Sequence, residues 1–557
     1  MPLARHPLVF PYNTREPNAF IGLAAAKDNR MIGVIPQIVD DPIKGEKAAY
    51  AAKRLGLVAT DTPAAGSYGG AVFNGTQKIT AYASAATLAG ATIYHETTNC
   101  GAVGASEFVN QIIEVSRSGV TYYMITASEA ASLGSGYFLA SDSVSDSTFS
   151  GDTHTNTVID NITGLTDTLY PGQPISGTGI QAGTRIATVT SATAITTTIA
   201  TTGTATVTIT KTHLAKIIDA DFPTTIVGSF VDMDGYLFVM DGSANVWNSD
   251  LNSIYSWSAS SFIPANIKSG AARGCAKRGN LLCALKSFSI EFFRNAGNPF
   301  GSVLSRADTQ YVNFGVKGSK SRAAVVTELE GILYIIGNGQ DGRTGIYEMR
   351  GTVPTHISTP FIDSLIPNTS ADYAYLSGNA SQAQKILYLN GGLSDSLYGG
   401  TGGIAFYPDW GITTETGFPF DFIQHGGVFV SRSTTTGKTY AQQTTSSTPT
   451  YQDDSANFDS VLQFDGGDKG SGNIKTVKYY ELIGDTFTAG TATLSYSDDD
   501  CQNFTAFPQT FDLTAAVKRI YPGGSYTGRR FLKLTVTGAN RAWRGRFIDE
   551  NYTVGAE

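Results

Sequence analysis

The sequence has 557 residues, of which 41% are hydrophobic and 15% charged, with 61 glycines and a formal net charge of −8. That hydrophobic content, with 27 Tyr and 29 Phe, excludes a disordered chain, and the acidic balance excludes a globally cationic protein that grips nucleic acid through many phosphates. The 4 cysteines are too few and too scattered for a disulfide framework or a zinc site, and no run approaches the ~20 apolar residues of a membrane span.

Charge this sparse leaves the surface to Thr, Ser, Asn and Gln, residues that favour strands and turns over helices. At about 150 residues per domain the length allows three to four domains, or one large repeat architecture with additions. Residues 1–65 differ from the rest. Pro2, Pro7, Pro11, Pro17, Pro36 and Pro42 break them into extended pieces, and Ala48, Ala49 and Ala51 support a short helix from Gly45 to Leu55. The reading is an extended N-terminal arm lying on the body of the same chain or on a neighbouring subunit. Nothing before Tyr12 resembles a secretory leader, so a soluble protein made in a reducing cytoplasm is expected.

From residue 66 the pattern becomes short apolar runs separated by Gly, Asn and Asp. Two units fall in 66–144, Gly70–Phe73 with Lys78–Tyr82 and Val120–Ile125 with Gly136–Leu139. Three clearer ones follow: Val231–Met240 with Ala244–Trp247, Ala276–Leu285 with Ser289–Phe293, and Thr327–Ile336 with Gly345–Met349. Weaker ones lie at Lys385–Leu389 with Gly403–Tyr407 and at Gly426–Val430 with Lys438–Tyr440. Intervals of about 40 to 55 residues match propeller blades, and 66–144 with 213–445, at about 45 to 50 residues per blade, make six or seven.

Between the two propeller parts, 145–212 is nearly uncharged and rich in Thr. Alternation in Thr184–Thr190 and Thr204–Thr210 marks half-buried strands, so this segment reads as a small Ig-like or related β domain inserted in a propeller loop. Residues 446–557 form a C-terminal β module, with strands expected at Lys475–Leu482, Ala492–Tyr496, Gln509–Leu513 and Phe531–Thr537 and a final pair ending near Ile548. The fold class is therefore all-β: a β-propeller, an inserted β domain and a C-terminal β module.

Chemistry is hard to find. The 6 histidines are dispersed with no close pair, and no nucleophile elbow or phosphate loop occurs. Asp232 with Asp234, and Asp363, are the acids a glycan-binding or glycan-hydrolysing propeller would use. Ser497-Asp-Asp-Asp-Cys-Gln-Asn-Phe504 is a degenerate Asp box, a structural turn with Cys501 in place of Gly. Cys275 and Cys283 are spaced to face each other across a hairpin, or to serve as two small buried hydrophobes. Arg529, Arg530, Arg541, Arg544 and Arg546, interleaved with Tyr526 and Trp543, could hold phosphates or a neighbouring subunit; the bland account has their stems cover a sheet face or pair with Asp549 and Glu550.

An extended arm, blade strands such as Gly279–Leu285 and Ser289-Ile-Glu-Phe-Phe293, and a C-terminal module with Tyr496-Ser-Asp-Asp-Asp and Tyr526-Thr-Gly-Arg-Arg-Phe531 resemble the tail nozzle proteins of short-tailed phages, also called packaged-DNA stabilisation or head-completion proteins. The resemblance extends over 66–144 and 213–550. It implies a non-enzymatic virion protein without cofactor or metal, made in the host cytoplasm. Such proteins form a ring, commonly a homohexamer, below the portal adaptor protein and next to a tail needle or tailspike. The ring retains packaged double-stranded DNA, which it touches transiently and non-specifically during ejection; the insert would add contact with a host surface.

Overall fold

A computed structural model describes the chain over 90–358 and 451–554, with short gaps at 130–133, 144–145, 318–325, 340–341, 454, 466–471, 500–502 and 538–541, and elsewhere mostly the backbone of individual strands. Among the described residues nearly all regular structure is antiparallel sheet.

Seven successive sheets make the propeller among the described residues. Blades 1 to 4 each have four strands: Val72–Asn74 to Thr98–Ala102, Phe108–Arg117 to Ala215–Lys216, Ile226–Met233 to Trp257–Pro264, and Ala272–Arg278 to Leu304–Val312. Blade 5 spans Gly315–Val316 to Thr355–His356 and blade 6 Tyr375–Ser381 to Ile412–Glu415. The seventh pairs Val430–Arg432 with Thr439–Gln442, and its third strand is Leu57–Asp61 from the arm.

Period-two alternation explains why single blades stack. In blade 4, Leu282 and Ala284 pack toward blade 3, while Cys283 and Leu285 pack toward blade 5. Each sheet is thus apolar on both faces and has to be covered on both. The first strands of blades 1, 2, 3 and 4 lie side by side, and the first strand of blade 7 meets that of blade 1. Blades 3 and 4 approach so closely that a Cβ on Gly228 would lie 2.8 Å from Gly274 Cα, and both glycines have positive φ, 76° and 125°.

The insert leaves blade 2 between its third strand, Gly134–Ala140, and its fourth, Ala215–Lys216. Its strands form one six-stranded sheet over Ser147–Thr153 to Ala205–Lys211, around a core of Phe149, Ile159, Ile186, Ile195 and Ile209. The sheet curls until its edges meet: Pro174 bridges Arg185, and Ile186 N–H donates to Gln173 O at 2.9 Å. It is a small curled barrel whose edges meet near Pro174 and Arg185, while the far part of Ile186–Ser191 is paired on one side only.

The arm lies on its own chain. Ala4–Val9 pairs with the long strand Arg544–Val554, and the hairpin Val34–Asp40 with Lys47–Lys53 joins the same sheet at Ala51↔Gly545. The expected helix at Gly45–Leu55 is therefore a strand over Lys47–Lys53. Small Ala51 and Ala52, 1% and 6% exposed, fit a crowded interior, and sheet pairing overrides helix propensity.

Arg30–Ile32 runs parallel to Ile412–Glu415 of blade 6 and antiparallel to Ser460–Asp465 of the C-terminal module. It merges them into a nine-stranded sheet ending at Thr505–Asp512. In blade 6, Leu387, Leu389 and Phe406 join the core shared with blades 4 and 5. Ile386, Tyr388, Ala405 and Tyr407 face the other way, into the core of the C-terminal module with Tyr480, Leu494, Phe511 and Leu534.

Candidate functional site

The arginine-rich C-terminal segment is the site the sequence singled out, and strand alternation splits it. Arg530, just before Phe531–Val536, points inward and is 7% exposed. Its Nε lies 2.7 Å from Asp498 Oδ1 and its Nη2 2.6 Å from Oδ2, a bidentate pair. The guanidinium stacks between Tyr526 at 4.1 Å and Tyr496 at 4.4 Å. Arg529 is exposed, with its guanidinium 4.9 Å from the Phe531 ring centre. Arg544 donates from Nε to Asp485 Oδ2 at 2.8 Å, and its Nη2 lies 2.7 Å from the same oxygen.

Arg541 lies outside the described residues, and only the backbone of Arg546 is described, within Arg544–Val554. Trp543 is buried at 4%. The acids that take Arg530 and Arg544 are Asp498 and Asp485, where the sequence pointed to Asp549 and Glu550. Glu550 is instead buried among tyrosines, accepting from Tyr526 OH at 3.1 Å and Tyr480 OH at 3.4 Å. Burial first, then the Glu550 charge, raises both phenols well above their ordinary range.

In the described residues of the Asp-box segment, Asp499 ties Ser497 to Asn503. Asp499 Oδ1 accepts from Ser497 Oγ at 2.6 Å and Asn503 N–H at 3.0 Å, and Oδ2 accepts from Asn503 Nδ2 at 2.8 Å. These bonds, led by the one from Ser497, lower its carboxyl to about 2. A second tie of this kind, missed in the sequence, closes blade 3. Asp241 accepts from Asn245 N–H and Asn245 Nδ2, both at 2.8 Å, and from Trp247 Nε1 at 2.9 Å. The shared signal is an Asn four residues after the Asp.

The acids proposed for glycan chemistry are engaged too. Asp232 of blade 3 pairs with Arg117 of blade 2 through both carboxylate oxygens. Asp234 sits in a hairpin turn with φ of 54° and accepts from Asn295 Nδ2 at 3.1 Å.

Asp363 gathers with His356 and Ser358, three residue types that can make a hydrolytic triad, but the connectivity is wrong. Ser358 Oγ donates to Asp363 Oδ1 at 2.5 Å, and both lie on the same nitrogen, His356 Nε2, at 3.2 Å and 3.1 Å. A triad needs the acid on the opposite nitrogen from the nucleophile. Ser358 Oγ also accepts Ile346 N–H at 2.8 Å, so this knot holds the edge of blade 5.

Cys275 and Cys283 do not face each other: the register pairs Cys275 with Ala284 and Ala276 with Cys283, so the thiols point to opposite faces. Both are buried hydrophobes, and burial pushes the Cys283 thiol up to about 12. Among the described residues no three His, Cys, Asp or Glu side chains gather at metal-ligand distance.

Residues 165–390 match the Phage_stabilise family, described as bacteriophage P22 Gp10, beta-propeller. The matched stretch takes in blades 3 to 5, part of blade 6 and most of the barrel. It thus includes 165–212, which the sequence resemblance left out, and ends before the C-terminal arginines. No curated protein matches.

Among solved structures, a mitotic checkpoint complex chain is 10% identical at a TM-score of 0.31, covering 73% of this chain and 94% of that one. The computationally designed Ika8 protein is 9% identical at 0.31, covering 70% and 99%. An exo-β-1,3-galactanase from Phanerochaete chrysosporium is 10% identical at 0.25, covering 80% and 95%. Likenesses this loose say nothing about chemistry.

Proposed function

We propose that this chain is a structural protein of a phage virion, a subunit of the tail nozzle. In this role it forms a ring, commonly of six copies, beneath the portal adaptor protein and against a needle or tailspike. The ring retains the packaged genome and conducts it at ejection. The observation that carries the reading is the match of 165–390 to a phage propeller family over the stretch that folds into blades 3 to 5.

Two physical features support it. The acids that could work on a glycan are held in ion pairs and turns: Asp232 by Arg117, Asp363 by His356 and Ser358. The net charge of −8 suits a conduit, because a wall that bound a polyanion tightly would stall it. Arg529, the exposed member of the arginine segment described here, is the residue we assign to a neighbouring subunit or to passing DNA.

Negative-stain images of the purified protein mixed with its adaptor should show closed rings. A stable monomer under those conditions would overturn the reading. Particles assembled without the protein should package DNA and then leak it.

A further inference from the structure

The barrel is rooted in blade 2 where the chain leaves after Gly134–Ala140 and returns through 212–214 to Ala215–Lys216, and ionisable groups crowd that root. Lys211, ending the barrel's last strand, is fully buried, with Nζ 2.7 Å from Asp167 Oδ2 and 2.5 Å from Ser143 Oγ. Asp142 accepts from Tyr170 OH at 2.7 Å and 2.9 Å. Two residues beyond Lys211, His213 is 1% exposed, and its backbone N–H donates to Asp146 Oδ1 at 2.9 Å. Its ring meets that of His95, from blade 1, edge to face with centroids 6.0 Å apart.

His95 is itself 7% exposed. Its Nε2 lies 2.5 Å from Gln77 Oε1, and Tyr123 of blade 2 packs at 6.0 Å. On that side Glu96 accepts Lys78 N–H at 2.8 Å, and the Lys78 ammonium, 8% exposed, adds a second charge. Leu214 N–H donates to Cys100 O at 2.8 Å, which stitches the tether to blade 1.

We propose that this root is an acid-operated hinge: a proton added to the His95–His213 pair frees the barrel from blades 1 and 2 while the rest of the propeller stays folded. The docked geometry has no room for the charge. An imidazolium at His213 would sit in a buried site beside a second imidazole and two residues from the buried Lys211 ammonium. Burial first, then His95 and, more weakly, Lys211 pull His213 down to about 4; the Ala140 backbone carbonyl and then Asp167 oppose them only in part. Burial likewise lowers His95 against the pull of Glu96.

The released imidazoles would titrate at their ordinary 6.5. The released state therefore binds more protons, and docking weakens as pH falls from 6.5 toward about 4. Each unbalanced proton raises the opening constant by about tenfold per pH unit. The inference stands apart from the nozzle reading and holds wherever the protein works.

The test is hydrogen exchange of the full chain between about pH 7.5 and about pH 4.5, with rates corrected for intrinsic pH dependence. Amides of 141–146, 168–174 and 212–217 should open with that steep rise below 6.5, while those of blades 3 and 4, 226–312, keep their protection. His213→Phe fills the site with a ring that takes no proton and should flatten the rise. Root amides that stay protected to the lowest pH, or open only together with blades 3 and 4, would overturn the proposal. If His213→Phe already loosens the root at neutral pH, His95→Gln decides: it has to reduce the slope, and an unchanged slope rejects the hinge.

Discussion

Glu291 shows how a charge survives in the middle of a blade. It is 0% exposed, with Lys286 Nζ 3.0 Å from Oε1 and Arg306 Nη1 2.7 Å from Oε2. Burial alone would raise its carboxyl, but the bonds from Arg306 and Lys286 outweigh it and hold the group below the ordinary carboxylate value of 4.5. A depressed carboxyl contributes stability at neutral pH that is lost as pH falls through and below 4.5. Glu291→Ala strands the Lys286 ammonium, 1% exposed, and should cost about 3 to 5 kcal/mol in urea unfolding. A loss under about 1 kcal/mol would show that water replaces the carboxylate. Arg530→Lys keeps the charge but loses the planar fork and its stacking on Tyr496 and Tyr526, and should lower Tm by several degrees where Arg529→Lys does not. The sequence pointed to these arginines as a group; that one faces inward and another outward follows from the strand beginning at Phe531, which chain position alone does not reveal.

At the scale of elements, the hairpins were the legible part. The run Val231–Met240 already contained the Asp234-Gly235 turn, where φ values of 54° and 85° place both residues in the left-handed region that a tight hairpin demands. In the C-terminal module the strands Lys475–Gly484, Thr491–Ser497, Thr505–Asp512 and Phe531–Val536 overlap those expected from apolar alternation. The arm was opaque for the opposite reason. Lys47–Lys53 is alanine-rich, and only its distant partners make it a strand; no local window contains them. Close contact between blades was also hidden, because two glycines far apart in sequence give no sign that they touch. Gly228→Ala would press a methyl against Gly274 and impose positive φ on a side chain, so a destabilisation of about 1 to 3 kcal/mol should appear in thermal melts. Gly119→Ala, also at positive φ but with open space around its Cβ, isolates the backbone part and should cost less.

For the molecule as a whole, the propeller was visible in the sequence as a spacing, whereas its fusion to the C-terminal module was not. One three-residue strand, Arg30–Ile32, joins blade 6 to Ser460–Asp465, and Leu57–Asp61 completes blade 7. Deleting residues 1–62 should therefore loosen both parts at once, seen as exposed apolar surface by dye binding and a broadened unfolding transition. Deleting 143–214, with Asp142 and Ala215 rejoined by a short linker, should leave blades 3 to 5 intact by hydrogen exchange. The threading of the arm also sets an order of events during synthesis. At about 5 to 20 residues per second, the first 60 residues emerge tens of seconds before Arg544–Val554, the strand that Ala4–Val9 pairs with. The beginning of the chain waits for its end, so the middle blades have to form first and hold an unfinished ring while the opening strands stay exposed to other nascent copies. A chain stalled near residue 450 lacks Arg544–Val554, the native partner of Ala4–Val9 and of the Lys47–Lys53 strand, so in an infected or overexpressing cell, truncated products should aggregate far more than the complete protein.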